Sequence, residues 1–406
     1  MSSTTRSTLA LAIAAGAIFG IALGTRTAQP LFISAINSST GAGYATISLA
    51  FGVAQLMWGI GQPVAGAVAD RWGPRPVMLT GAILLAVGTA LIPLASSAWS
   101  LILVIGVIAA AGASTSGPAQ LASSIARWLP EAKRSVANGI IGAGGSLGQF
   151  ILVPLAQLFI GVAGWQPALV IVGAIGLIAV PLVFFITPTS LEHAAAHAGG
   201  HAGAGTLRQA VRGALRDPSF LLLTAGFFTC GFHIAFIATH LPGVVTLCEL
   251  PPSVSAWSLS IIGLFNMFGS LWIGRHIQMR RMKLALAGVY FARAVIILIF
   301  FFSPKTPLVF FIFAAAIGFT YLSTVPPTIG LVAKLHGARY MATLFGIVML
   351  SHQIGGFLGA WLGGKAFEAT HSYDWMWFAD IALCVFAAGV HLPIREARPR
   401  PVAAPA

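Results

Sequence analysis

Apolar residues in this chain come in long unbroken runs, without the alternation of a half-buried strand or the spaced stripe of a surface helix. Runs of about twenty residues, enough for a helix to cross a hydrocarbon core of roughly 30 Å, recur near 9–35, 45–68, 76–96, 100–126, 136–160, 166–187, 219–246, 254–274, 284–302, 306–333, 341–364 and 373–393. Twelve such runs predict an all-α membrane protein with twelve transmembrane helices. Between the sixth and seventh the pattern changes to a polar stretch, Thr187 to Pro218, with His193, His197 and His201 and the basic run Arg208, Arg212 and Arg216. It divides the chain into a first half, 1–187, a linker, 188–218, and a second half, 219–406. The three histidines recur every four residues, as metal ligands on a helix would. The Ala/Gly/His-rich composition favours a low-complexity linker, and no metal is expected.

Composition agrees: of 406 residues 57% are hydrophobic and only 8% charged, with a mean hydropathy of +0.91. Forty-six glycines and 23 prolines, damaging in soluble helices, suit closely packed and kinked membrane helices. The apolar run after Arg6 continues to about residue 35 with no small-residue cleavage site, so it reads as the first span and not a signal peptide. Cys230, Cys248 and Cys384 are scattered, with neither metal nor disulfide spacing. A net charge of +13 would suggest nucleic acid in a soluble protein. Here Lys305 and Lys365 fall on one side of the predicted helices, Arg26 and Arg293 lie within them, and every other Lys and Arg gathers on the side of the chain ends. The positive-inside rule accounts for that asymmetry, placing both termini in the cytoplasm and the chain in an inner membrane; no nucleic-acid partner is expected.

The halves echo one another at an offset of about 205 to 212 residues, the weak internal symmetry of a carrier built from two bundles around a midplane site. Gly117-Pro118 in the fourth run, followed by Arg127 and Arg134, answers to Pro326-Pro327 in the tenth, followed by Lys334 and Arg339. Pro30 in the first answers to Pro242 in the seventh.

Between the second and third runs stands Gly66-Ala-Val-Ala-Asp70-Arg71-Trp-Gly73-Pro74-Arg75. Its Gly, Asp-Arg pair, second Gly and basic residue resemble the signature loop of the major facilitator superfamily. The physics suits a gate: Gly66 permits close helix approach, Gly73 a tight turn, and Asp70 can pair with a basic residue in one conformation and release it in another. Arg127 is the candidate partner; the alternative is a basic loop that only sets topology. Pro74 stands where that family often has a basic residue. The counterpart in the second half, Gly269 to Arg275 followed by Arg280 and Arg281, has lost the acidic residue, which predicts asymmetric gating.

Four further stretches resemble the bacterial monocarboxylate-porter-like branch of that superfamily: Gly24 to Phe32 around Arg26, Gly144 to Phe150 with Gln149, Cys230 to Pro242 with His233 and His240, and Tyr340 to Gly364 with His352 and Gln353. The resemblance implies two pseudo-symmetric six-helix bundles, a cavity lined by the first and seventh helices, peripheral ninth and twelfth helices, and carriage of small organic acids. A charge within a span costs roughly 3 kcal/mol on insertion scales, so each one is a functional candidate. Arg26, with Gln29 and Pro30 on its face, could hold a carboxylate through two parallel hydrogen bonds, with snorkelling or bonding to a neighbouring helix as the alternative. Arg293 is a second candidate, with a structural role weighted above binding. His233, His240 and His352 could carry a proton or bind a carboxylate, since imidazole titrates near neutral pH, with helix–helix hydrogen bonding as the alternative. Gln149, Asn266, Tyr321 and Gln353 are polar candidates at comparable depth, with interhelical hydrogen bonding as the alternative. Asp380, in the peripheral twelfth helix, is expected to have a structural partner rather than to relay protons.

These readings predict a secondary carrier of a small organic anion, a monocarboxylate first, coupled to protons, with Arg26 binding the carboxylate. Its partners would be the anion, a proton and the lipid bilayer, and it would act as a monomer with no cofactor beyond the proton gradient. A larger anionic solute such as a vitamin stays open. Proton-driven drug efflux is disfavoured, because the fifth helix lacks a Gly-Pro-x-x-Gly-Gly element and the cavity helices carry no Asp or Glu. A membrane sensor would append a soluble domain, and the chain has no nucleotide-binding loop or catalytic constellation.

Overall fold

The computed structural model describes residues 7–126, 128–187, 207–337 and 340–396. Eleven helices among them are long and apolar enough to cross a membrane: Thr8–Thr40, Tyr44–Trp72, Pro74–Leu94, Ala98–Ala126, Lys133–Ala163, Trp165–Ile186, Pro218–Leu247, Pro252–Met279, Met282–Phe302, Pro307–His336 and Thr343–Thr370. We number these spans one to eleven. The twelfth expected span is the 18-residue helix Asp374–His391, whose hydropathy is lowered by Asp374, Asp380 and His391. Leu207–Ala214 forms a short helix in the expected linker, and His193, His197 and His201 lie outside the described residues. Large apolar side chains such as Leu103, Phe291, Ile299 and Ile312, each more than half exposed, cover the outer surface, as a bilayer requires.

The helices form two pseudo-symmetric six-helix bundles. In the first, span one packs along span five; in the second, their counterparts, spans seven and eleven, do the same. Glycine makes both contacts possible. A Cβ on Gly24 would stand 2.5 Å from the Gly148 carbonyl oxygen, and one on Gly359 would stand 2.2 Å from that of Phe232. Small residues one turn apart thus bring the backbones together, as helices in lipid prefer.

Four spans break along their length, the sixth at Leu177 and Ile178. Span one passes through a 3-10 turn, Gln29–Phe32, at Pro30. Span four stops at Ser114 and resumes at Pro118; span ten stops at Thr320 and resumes at Val325, just before Pro326-Pro327. Proline lacks an N–H and has a fixed φ, so it suits the first turn of each restarted helix. The corresponding breaks in spans four and ten realise the repeat read from the sequence.

The bundles meet along two seams, span two against eleven and span five against eight. Both seams are closed in the half remote from the chain ends. There the Ala45 N–H donates to Glu368 Oε1 at 2.8 Å, and Gly52 packs on Phe357. Gln149 Nε2 donates to the Leu259 carbonyl at 2.8 Å, and Ser260 Oγ to that of Phe150 at 2.6 Å. Toward the chain ends the same faces separate: Gly66, Gly142, Gly274 and Gly346 have no described neighbour within 4 Å of a Cβ position. Among the described residues the two bundles therefore stand apart at the end that carries residues 7 and 396.

Candidate functional site

Arg26 lies in the last turn of the first helical segment of span one, just before the 3-10 turn, and is half-buried. Its Nη2 donates to Gln55 Oε1 of span two, and its guanidinium lies 4.6 Å from the Trp58 ring centroid. Among the described residues no carboxylate lies within ion-pair distance of Arg26. A neutral amide and an aromatic face orient the guanidinium without cancelling its charge. Neither Gln55 nor Trp58 stood out in the sequence.

Gln353 adjoins this group from span eleven. Its side chain packs on Gly59, one turn from Gln55 along span two, while Gln55 packs in turn on Gly356. Gln353 is fully buried with neither amide atom paired, and neighbouring His352 is buried with Nδ1 unpaired.

The other sequence candidates have their polar atoms taken by protein. Gln29 points into its own bundle, donating to Thr89 Oγ1 at 3.1 Å. Gln149 spans the five–eight seam, as does Asn266, whose Nδ2 donates to Ser146 Oγ at 3.1 Å. Asn266 Oδ1 also accepts from the Leu322 N–H, freed by the break in span ten. Arg293, fully buried, donates to the carbonyls of Thr320 and Tyr321 and to Cys230 Sγ, closing the other side of that break. It lies on the periphery but points inward, as a cap on broken backbone. Tyr321 donates its hydroxyl to the Ile234 carbonyl at 3.1 Å. His240 Nε2 meets the Ala360 carbonyl at 2.6 Å, a contact between spans seven and eleven.

His233 faces the twelfth helix, its Nδ1 2.7 Å from Asp380 Oδ2 with both side chains fully buried. Cys384, one turn further on, brings Sγ within 4.8 Å of both. A metal needs its donors farther apart: two ligands at about 2.0 Å in a tetrahedral site are separated by about 3.3 Å. The 2.7 Å contact is that of a charge-assisted hydrogen bond.

Comparison with known proteins agrees with this architecture. A sequence model of the Major Facilitator Superfamily matches residues 14–360. The chain belongs to that superfamily. Monocarboxylate transporter 13 of Rattus norvegicus is 27% identical over 335 residues, covering 81% of this chain and 75% of that protein. The hexuronate transporter of Escherichia coli (strain K12) is 34% identical over 168 residues, 41% of this chain and 38% of that one. A solved bacterial homologue of the human lysosomal transporter Spinster, inward-facing and unoccupied, superposes with a TM-score of 0.71 at 16% identity, over 97% of this chain and 95% of that one.

The superfamily's signature loop has a definite geometry here. Gly73 holds φ +90°, a value that L side chains rarely adopt, and so makes the turn between spans two and three. Arg75 donates from Nε to Thr187 Oγ1 at 3.1 Å and from Nη2 to the Thr187 carbonyl at 2.9 Å, a cation on the C-terminal end of span six. Arg71 lies 5.0 Å from the Trp72 ring centroid, and Asp70 is exposed. Gly66, expected to permit a close helix approach, faces the open part of the two–eleven seam instead. Arg127 lies outside the described residues. The acid missing from the second loop is supplied from beyond the twelfth helix: Glu396 accepts from the N–H groups of Met282 and Lys283 and pairs with Lys334 Nζ at 2.9 Å. Sequence spacing hid it, because it comes from the far end of the chain.

Proposed function

We propose that this chain is a secondary carrier that moves a small organic anion, a monocarboxylate first, across the inner membrane by alternating access coupled to protons. The observation that carries the reading is Arg26: a guanidinium at membrane depth, oriented by Gln55 and Trp58, with no carboxylate among the described residues to neutralise it. A substrate carboxylate would complete it with two parallel hydrogen bonds, and desolvation would strengthen that pair. An anion held between the two bundles would bind one arrangement of them better than the other and so favour their movement.

The positive-inside asymmetry assigns the open end to the cytoplasm, so this conformation is inward-facing with both termini cytoplasmic. Two relatives support an acidic cargo by name, one a monocarboxylate transporter and the other a hexuronate transporter. The second also extends the panel of acids worth testing to sugar acids.

The test is uptake by purified protein in liposomes under an inwardly directed proton gradient, with labelled 2-oxo, 2-hydroxy, short-chain and sugar acids. Accumulation of at least one acid, abolished by collapsing the gradient, is the expected result. No uptake of any acid in a preparation that is folded would sink the reading.

A further inference from the structure

The hydrogen bonding of His233 and Asp380 differs from that of ordinary interhelical glue. His240, on the same helix, shows the glue pattern: a histidine holding a neighbour's carbonyl, with no charge involved. His233 instead brings an ionisable base against an ionisable acid where neither is exposed at all. Each partner is left half satisfied, since His233 Nε2 and Asp380 Oδ1 have no hydrogen-bond partner among the described residues. As packing this is poor, because incompletely bonded charge buried in low dielectric is costly compared with an apolar pair of the same size.

The surrounding groups leave Asp380 dependent on His233. Cys230 faces this region from span seven, Arg293 and Tyr290 from span nine, His352 from span eleven, and Cys384 from the twelfth helix itself. Arg293 is the one permanent cation among them; its Nη atoms donate to the Thr320 and Tyr321 carbonyls and to Cys230, while its Nε has no partner among the described residues. Among the described residues, His233 is the ionisable base within hydrogen-bond distance of Asp380.

The pair also adjoins the break of span ten. The residue after His233, Ile234, accepts the Tyr321 hydroxyl at 3.1 Å, and Tyr321 sits at that break. A rearrangement of the break would move a contact to span seven, a physical form that coupling can take.

We propose that the His233–Asp380 pair is where the coupled proton resides. With Nδ1–H donated to Asp380 Oδ2, the lone pair of His233 Nε2 is free to accept the proton. The loaded pair is then imidazolium beside carboxylate, and the proton leaves from Nε2 on the opposite side of the membrane. Loading cancels the local negative charge, and unloading restores it. This assignment rests on the reading of the protein as a proton-coupled anion carrier.

The experiment separates the two claims. In proteoliposomes, gradient-driven accumulation and gradient-free counterflow of the same acid are measured for the wild type, Asp380→Asn, His233→Gln and the reciprocal His233→Asp with Asp380→His. Thermal melting confirms folding. The single variants should lose accumulation but keep counterflow, because the Arg26 site is intact; the reciprocal variant, which keeps one acid and one base, should regain accumulation. If folded Asp380→Asn concentrates the acid as the wild type does, or loses counterflow as well, the pair is not the proton site and the proposal falls while the anion reading stands. If the single variants do not fold, a folded reciprocal variant that fails to accumulate overturns it too. A wild type with no gradient-driven uptake of any acid sinks the underlying reading instead.

Discussion

Two arginines lie at membrane depth, and their environments separate their roles. Arg293 is fully buried and spent on the carbonyls of a broken helix. Replacing it with Met would leave those carbonyls unpaired in a low-dielectric setting, at about 1–3 kcal/mol each. The melting temperature of Arg293→Met should fall accordingly, whereas anion affinity of the protein that remains folded should hold. Arg26 is half-buried and answers only to an amide and a ring, so its loss should show the reverse pattern. Arg26→Lys keeps the charge but not the planar fork, and should reduce uptake to background with melting unchanged. Uptake by Arg26→Lys at the wild-type rate would remove the guanidinium from the site. Both arginines were legible in the sequence because a charge in an apolar run is conspicuous. Gln55 and Trp58 were not, since neutral polar and aromatic residues are ordinary in membrane helices. A signal was nevertheless present at the level of the helix. Spans two and eleven, which face each other across the passage, have the lowest mean hydropathies among the eleven, 1.2 and 1.3.

At the scale of the element, the molecule combines rigid glycine-lined contacts with deliberate interruptions. Spans one and five approach so closely that a Cβ on Gly148 would stand 2.0 Å from the Gly20 carbonyl oxygen, with backbone on both sides and no side chain able to yield. Gly148→Val should therefore block assembly of the first bundle, seen as lost monodisperse protein on size exclusion in detergent. Gly139→Ala on the same helix, with no described neighbour within 4 Å of its Cβ position, should behave as wild type. The breaks in spans four and ten could be anticipated from Pro118 and Pro326-Pro327, because proline chemistry is local. What mends them could not: Asn266 and Arg293 reach the span-ten break from spans eight and nine, and Asp380 meets His233 from 147 residues away. Periodicity and local motifs carry helices and their faults; a partner chosen by tertiary packing leaves no such trace in one sequence.

At the scale of the whole molecule, the state of the carrier depends on which ends of the two seams are closed. The two–eleven seam is fastened at its remote end by Glu368, whose carboxylate accepts the Ala45 N–H at the N-terminus of span two, beside Gly43 at φ +86°. An acid at a helix N-terminus contributes about 0.3–1 kcal/mol, so this fastening biases the equilibrium between open ends without locking it. Glu368→Ala removes the cap from one bundle and the acceptor from the other, and should raise the population of the opposite conformation by up to about fivefold, the equivalent of about 1 kcal/mol. Spin labels at Gly66→Cys and Gly346→Cys, where this state leaves both positions open, would report the change. The half-buried Cys248 would be replaced by Ser, while Cys230 and Cys384 are shielded by burial. The label separation should shift toward shorter values in Glu368→Ala as the end near the chain termini closes, and Glu368→Gln, which keeps an acceptor for the Ala45 N–H, should fall between the two. An unchanged distance distribution in Glu368→Ala would mean that the seam is held by its apolar contacts alone, such as Gly52 on Phe357, and that the carboxylate is incidental to the balance of states.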